Sequence, residues 1–150
     1  MRGPARLNTF KAWVNDNYYE KQDASVVLTA GVSLFVSMMK SEEGLAAAAD
    51  IPYAKYLVER SVELDPEAQG ALGLQALGIY WCTLPAMAGG NPQHGMKLLQ
   101  QAMELTKGQS FSPHIPAAER CAVGLQDRKA FKDLLSKVVE APDYEKYRLT

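Results

Sequence analysis

Residues 68–96 carry no Lys, Arg, Asp or Glu, and the segments flanking this stretch, 54–66 and 95–108, read as two copies of one helix. Ala54, Val58, Ser61, Val62 and Leu64 fall opposite Gly95, Leu99, Ala102, Met103 and Leu105 at a constant shift of 41, the separation of Ala54 from Gly95. Small residues stand where two helices must approach closely, and larger apolar residues follow at helical spacing. A shorter third copy, 127–139, places Phe131, Leu134, Leu135 and Val138 on one face. A chain that alternates a charge-free helix with amphipathic ones buries its apolar surface between successive helices, which predicts a stacked helical repeat and not a fold built around a catalytic cleft.

The small-then-large pattern is that of the second helix of a tetratricopeptide-like hairpin, whose period is about 34 residues. Leu77, Gly78 and Trp81 match the first-helix signature, and Asp65-Pro66 closes one copy and opens the next. The extra length lies in Leu84-Pro85-Ala86-Met87-Ala88-Gly89-Gly90-Asn91-Pro92. The expected fold class is therefore all-α: tetratricopeptide-like antiparallel helical hairpins stacked as a short α-solenoid, one helical repeat domain over residues 1–150.

Proline-marked caps set the expected boundaries. Asp65-Pro66, Asn91-Pro92 and Ser112-Pro113 each put a capping side chain before a proline, whose missing N–H is not needed at the first helical position. Asp127 is the expected cap of the last copy, Gly108 a stop after the second and Pro142 the end of the third. The spacing predicts helices near 7–21, 24–39, 52–65, 66–82, 92–107, 113–124 and 127–140, with a partly helical connector at 42–49. The first helix is amphipathic through Leu7, Phe10, Trp13, Val14 and Tyr18. In 24–39, Ser25, Thr29, Ser33 and Ser37 form a polar stripe at four-residue spacing, expected on a buried helix with a small-residue seam. Neither this segment nor 68–96, broken by Pro85 and Gly89-Gly90, reads as a membrane span.

Composition narrows the function. A net charge of −1 over 150 residues, with both signs dispersed, leaves no electrostatic footprint for nucleic acid or an anionic membrane. Cys82 and Cys121 stand alone in predicted helices without a CxxC spacing, so buried free thiols are expected, with a disulfide as the alternative. His94 and His114 belong to no HExxH, nucleophile elbow or phosphate-cradling loop. Glu119 and Asp127 span a helix end. No catalytic residue, metal site or cofactor is expected. Lys55, Glu59, Arg60 and Glu63 form a mixed-charge face spaced for i,i+4 pairing. Tyr80, Trp81, Leu84, Pro85 and Met87 are the candidates to line an apolar channel or groove, the competing expectation being inter-repeat core. Gly70, Gly73 and Gly78 would serve close helix packing, and Gly89-Gly90 with Asn91 and Pro92 the inserted turn.

Taken in order, Gly70-Ala71-Leu72, Leu77-Gly78-Ile79-Tyr80-Trp81, Leu84-Pro85, Gly89-Gly90-Asn91-Pro92 and Ala102-Met103-Glu104-Leu105-Thr106 resemble the T component of tripartite ATP-independent periplasmic (TRAP) transporters. So do Ala117-Ala118-Glu119-Arg120-Cys121-Ala122, Gln126-Asp127-Arg128-Lys129-Ala130-Phe131, Leu134-Leu135 and Val138. The likeness runs from about Leu45 to Val139, and the Leu-Pro, Gly-Gly insertion is its most specific part. It implies a periplasmic, lipid-anchored, trimeric helical protein that associates with the transporter's substrate-binding subunit and encloses a path for an apolar or amphipathic solute. Members of the family carry an export signal with a lipidated cysteine and are longer, so this chain is expected to be a C-terminal fragment. The alternative is a general peptide-binding repeat adaptor, with the cytoplasm as its compartment. A carboxylate-clamping adaptor needs Lys or Arg on its first helices, and 66–82 has neither.

Overall fold

The computed structural model describes residues 3–40 and 48–141, and among them every regular element is helical. The helices are α1 (Pro4–Asn17), α2 (Ala24–Lys40), α3 (Ile51–Leu64), α4 (Ala68–Thr83), α5 (Pro92–Thr106), α6 (114–124, π-helical over Ala117–Ala122) and α7 (Arg128–Val139). Contacts divide the chain into two compact units, Met1–Gln69 and Gly70–Thr150.

In the first unit α2 packs along α3, with α1 against α3. The closest approach is at Gly31, where a methyl group would lie 2.8 Å from Val58 Cγ2 and 3.1 Å from the Ala54 carbonyl oxygen. Val14, Val27, Leu28, Ala54, Val58 and Ser61 are buried. The serine and threonine stripe of α2 is not the seam expected of it. Ser25, Thr29, Ser33 and Ser37 are all exposed, and the side bearing Val27, Leu28 and Gly31 is the buried one. A helix covered on one side turns its hydroxyls to the open side, where water or a backbone carbonyl satisfies them, as the Thr29 hydroxyl does by donating to the Ser25 carbonyl at 2.8 Å.

The α1 boundaries also differ from expectation. Pro4 starts the helix three residues early, as an N-terminal proline can. Asn17 ends it because the Asp23 carboxylate accepts the N–H groups of Tyr19 (3.1 Å) and Glu20 (3.0 Å), drawing the chain into a short turn over Lys21–Asp23. Arg60 donates to the Tyr18 carbonyl at 3.2 and 3.3 Å, so this residue of the mixed-charge face ties two helices together. Trp13, assigned to the apolar face of α1, is 53% exposed. Most of the connector expected at 42–49 lies outside the described residues.

In the second unit the same crossing recurs between α4 and α5. A methyl on Gly78 would lie 2.6 Å from Leu99 Cγ and 3.0 Å from the Gly95 carbonyl oxygen. One on Gly95 would collide with Cys82 Sγ and lie 2.6 Å from the Gly78 carbonyl oxygen. Thus Gly31 meets Ala54 and Val58 as Gly78 meets Gly95 and Leu99. The buried residues of α3, Ala54, Val58 and Ser61, are those the 41-residue shift places opposite the buried residues of α5, Gly95, Leu99 and Ala102. Gly70 serves a different purpose from Gly78. Its φ is +70°, between Gln69 (51°) and Ala71 (60°), and nothing crowds it. It supplies a left-handed turn that L-residues adopt only at a cost of about 1–2 kcal/mol each. Gln75 donates to its carbonyl at 3.0 Å.

The cysteines, expected as free thiols, form a disulfide, with Cα atoms 4.9 Å apart. Cys82 lies in the last turn of α4 and Cys121 in the π-helical part of α6. Both pack with Leu99 and Ala117, and Met96, Met103 and Leu134 cover the cluster. The pairing comes from tertiary proximity across 39 residues, which sequence spacing alone does not encode. Phe131, Leu134, Leu135 and Val138 of α7 are all partly buried, as their spacing requires.

Asn91 and Asp127 cap α5 and α7 through His94 N (3.0 Å) and Ala130 N (2.9 Å). Asp65 instead closes a turn on Glu67 N, and Ser112 caps nothing, its N–H being held by Ser110 Oγ. Pro113 occupies the cap position of α6 without a side-chain bond. α5 stops where Lys107 and Gly108 turn left-handed, at the expected glycine.

The repeat yields one stability prediction. Ser61 is 1% exposed and its hydroxyl has no hydrogen-bond partner, whereas its counterpart Ala102 has no hydroxyl to satisfy. An unpaired buried polar group costs about 1–3 kcal/mol. Ser61→Ala should therefore raise stability by about 1 kcal/mol, read as a higher urea midpoint at unchanged slope. A lower midpoint would show that the hydroxyl finds a partner.

Candidate functional site

The charge-free helix α4 ends in two aromatic side chains and then stops at Pro85. Leu84 N–H still reaches the Tyr80 carbonyl at 3.2 Å, and beyond it the chain forms a 3-10 turn over Ala86–Ala88. The Pro85 carbonyl accepts from both Ala88 (2.9 Å) and Gly90 (3.0 Å). Gly89 takes a left-handed φ of 87°, and any side chain at Gly90 would overlap the Leu84 carbonyl. Both glycines are thus required by geometry, one for its φ and the other for lack of space. Asn91 donates its backbone N–H to the Trp81 carbonyl at 3.0 Å while its side chain caps α5. This double role locks the insertion to both helices.

The Trp81 ring meets Tyr80 at 5.2 Å and His94, from the first turn of α5, at 5.4 Å, both edge to face. Such contacts add about 0.5–1.5 kcal/mol beyond area burial. Among the five channel candidates, Tyr80, Trp81 and Leu84 are half-buried and Pro85 is exposed. Met87 is 96% exposed. Pro85 and Met87 are therefore not packed within this chain. The aromatic end of α4 and the apolar turn are adjacent in the chain, and the ring contact with His94, which the sequence reading did not single out, joins them to α5. Asn91 capping α5 at the third residue before His94 was the available signal for that contact.

The titratable residues weighed for catalysis do not converge. Asp127 is committed to its cap, Glu119 is exposed, and His114 is buried against Phe111 with ring centroids 5.3 Å apart. The mixed-charge face of α3 resolves into Lys55–Glu59 (2.6 Å) and Arg60–Glu63 (3.1 Å) pairs. Among the described residues no group of His, Cys, Asp or Glu is arranged to hold a metal ion, and no helix is long and apolar enough to cross a membrane. What the arrangement offers is a rigid, uncharged surface element: a half-buried aromatic group beside an exposed apolar turn, fixed by backbone hydrogen bonds.

Neither a curated protein nor a solved structure matches the chain. Residues 6–150 match the TRAP transporter T-component family, almost the whole length of the sequence. A match of that extent, together with the helical fold and the Leu-Pro, Gly-Gly turn between α4 and α5, shows that the chain belongs to the TRAP transporter T-component family.

Proposed function

We propose that this chain is a non-enzymatic accessory subunit that docks the substrate-binding subunit of its transporter and contributes to a path for an apolar or amphipathic solute. The family match over residues 6–150 carries this reading. The uncharged turn 84–92 supports it. An element that presents Met87 to solvent on a hydrogen-bonded frame gains from being covered by an apolar surface or ligand. In this proposal the paired helices are tetratricopeptide-like hairpins of one α-solenoid, the subunit assembles as a trimer, and the mature protein is held at the periplasmic face by a lipid anchor. The Cys82–Cys121 disulfide is in keeping with an oxidising compartment.

The test uses the full-length protein and the purified substrate-binding subunit of the same transporter. Binding is expected, and its absence at high micromolar concentration would favour the adaptor reading instead. Met87→Lys should melt within about 0.5 kcal/mol of the parent, because an exposed side chain contributes little to stability. It should nevertheless weaken solute retention or partner binding, since an ion brought against an apolar surface loses hydration. A stable variant unchanged in both would remove the turn from the proposed path.

A further inference from the structure

His114 is 7% exposed, its Nδ1 has no hydrogen-bond partner, and its ring lies edge to face against Phe111. It opens α6, and this turn packs against both α5 and α7. From Ala117 the helix widens into a π-helical run, so the first turn is not continued by a regular α-helical ladder. The other end of α6 is held firmly. Cys121 is bonded to Cys82, and the helix closes with Asp127 N–H on the Ala122 carbonyl (2.8 Å) and Gln126 N–H on that of Val123 (3.0 Å).

We propose that His114 is an acid-sensitive latch: its uncharged ring holds the first turn of α6 against α5 and α7, and protonation releases that turn while the disulfide and α7 retain the rest of α6. An imidazolium here would be buried, would leave a second N–H without an acceptor, and would face the Lys137 ammonium from α7. Burial first, then Lys137, hold the histidine below its ordinary value. Among the described residues Lys137 is the one charged group that acts on the ring. α5 contributes none. The direction follows from linkage. Above the ordinary histidine value of about 6.5 the closed and open forms are both neutral and the latch is at full strength. As the pH falls below that value the open form takes up a proton that the closed form resists, so opening becomes more favourable until the closed form also titrates.

Hydrogen exchange on the whole protein, corrected for the intrinsic pH dependence of the chemistry, tests this between about pH 7 and pH 5. Opening of 111–118, but not of α7, should rise on acidification, by up to about tenfold per pH unit, the ceiling for uptake of one proton. Residues 121–125 should stay protected. His114→Phe should abolish this pH dependence and Lys137→Met should diminish it. An identical pH response in parent and His114→Phe, or opening that begins at Cys121, would overturn the latch. If His114→Phe does not fold, an NMR titration of the parent decides: a His114 midpoint at or above about 6.5 overturns the proposal, and one below it that rises in Lys137→Met supports it.

Discussion

Reduction of the Cys82–Cys121 bond is expected to lower the stability of the second unit by about 4 kcal/mol. That is the loop-closure entropy the chain-entropy relation assigns to a cross-link spanning 39 residues. For a chain of this size, a loss of that magnitude corresponds to a fall of about 8–16 °C in melting temperature. Cys121→Ala alone should cost nearly as much as replacing both cysteines, because either change removes the whole cross-link. A reduced protein or single variant melting within about 1 kcal/mol of the parent would show that the core around Leu99 holds α4 and α6 together unaided. The bond matters beyond its energy. It secures the end of α4 next to Tyr80 and Trp81, so the aromatic group and the turn after it are referred to a fixed point in the core.

How much of this was legible in the sequence depended on whether the signal was local. The helices and the caps Asn91 and Asp127 were, because a cap is read within a few residues. So was the pattern of small residues in α3 and α5, where a shift of 41 aligns the buried positions. What was missed depended on contacts far apart in the chain. The disulfide joins positions with no diagnostic spacing. The buried side of α2 is set by Gly31 meeting Ala54 and Val58, which the more conspicuous serine stripe concealed. Gly70 looked like Gly78 by composition, yet one answers a backbone dihedral and the other a neighbouring helix. Of the candidate site, the inserted turn was recognisable from Leu84-Pro85 and Gly89-Gly90. The full exposure of Met87 was not, since no periodicity governs a turn.

The largest effect in the hairpin that carries this turn should come from Leu99, which is fully buried against Gly78. Leu99→Ala is expected to cost about 2–5 kcal/mol, the sum of lost transfer energy and the cavity left behind. Gly78→Ala should also destabilise, by about 1–3 kcal/mol of overpacking less roughly 1 kcal/mol from alanine's better helix propensity. Its closest neighbour is Leu99 Cγ at 2.6 Å, so the two changes are not independent. In the double variant the new methyl enters space that the leucine vacated, and only the Gly95 carbonyl oxygen at 3.0 Å still presses on it. The double should therefore be at least about 1 kcal/mol more stable than the sum of the single effects predicts. Gly95→Ala provides the contrast: its obstacles are Cys82 Sγ and the Gly78 backbone, which Leu99→Ala leaves in place, so no comparable relief should appear. Urea denaturation of the parent, three single and two double variants measures both cycles. Additivity for Gly78 and Leu99 would mean that the helices do not cross on these residues, and the fixed geometry of Trp81, His94 and the inserted turn would then need another support.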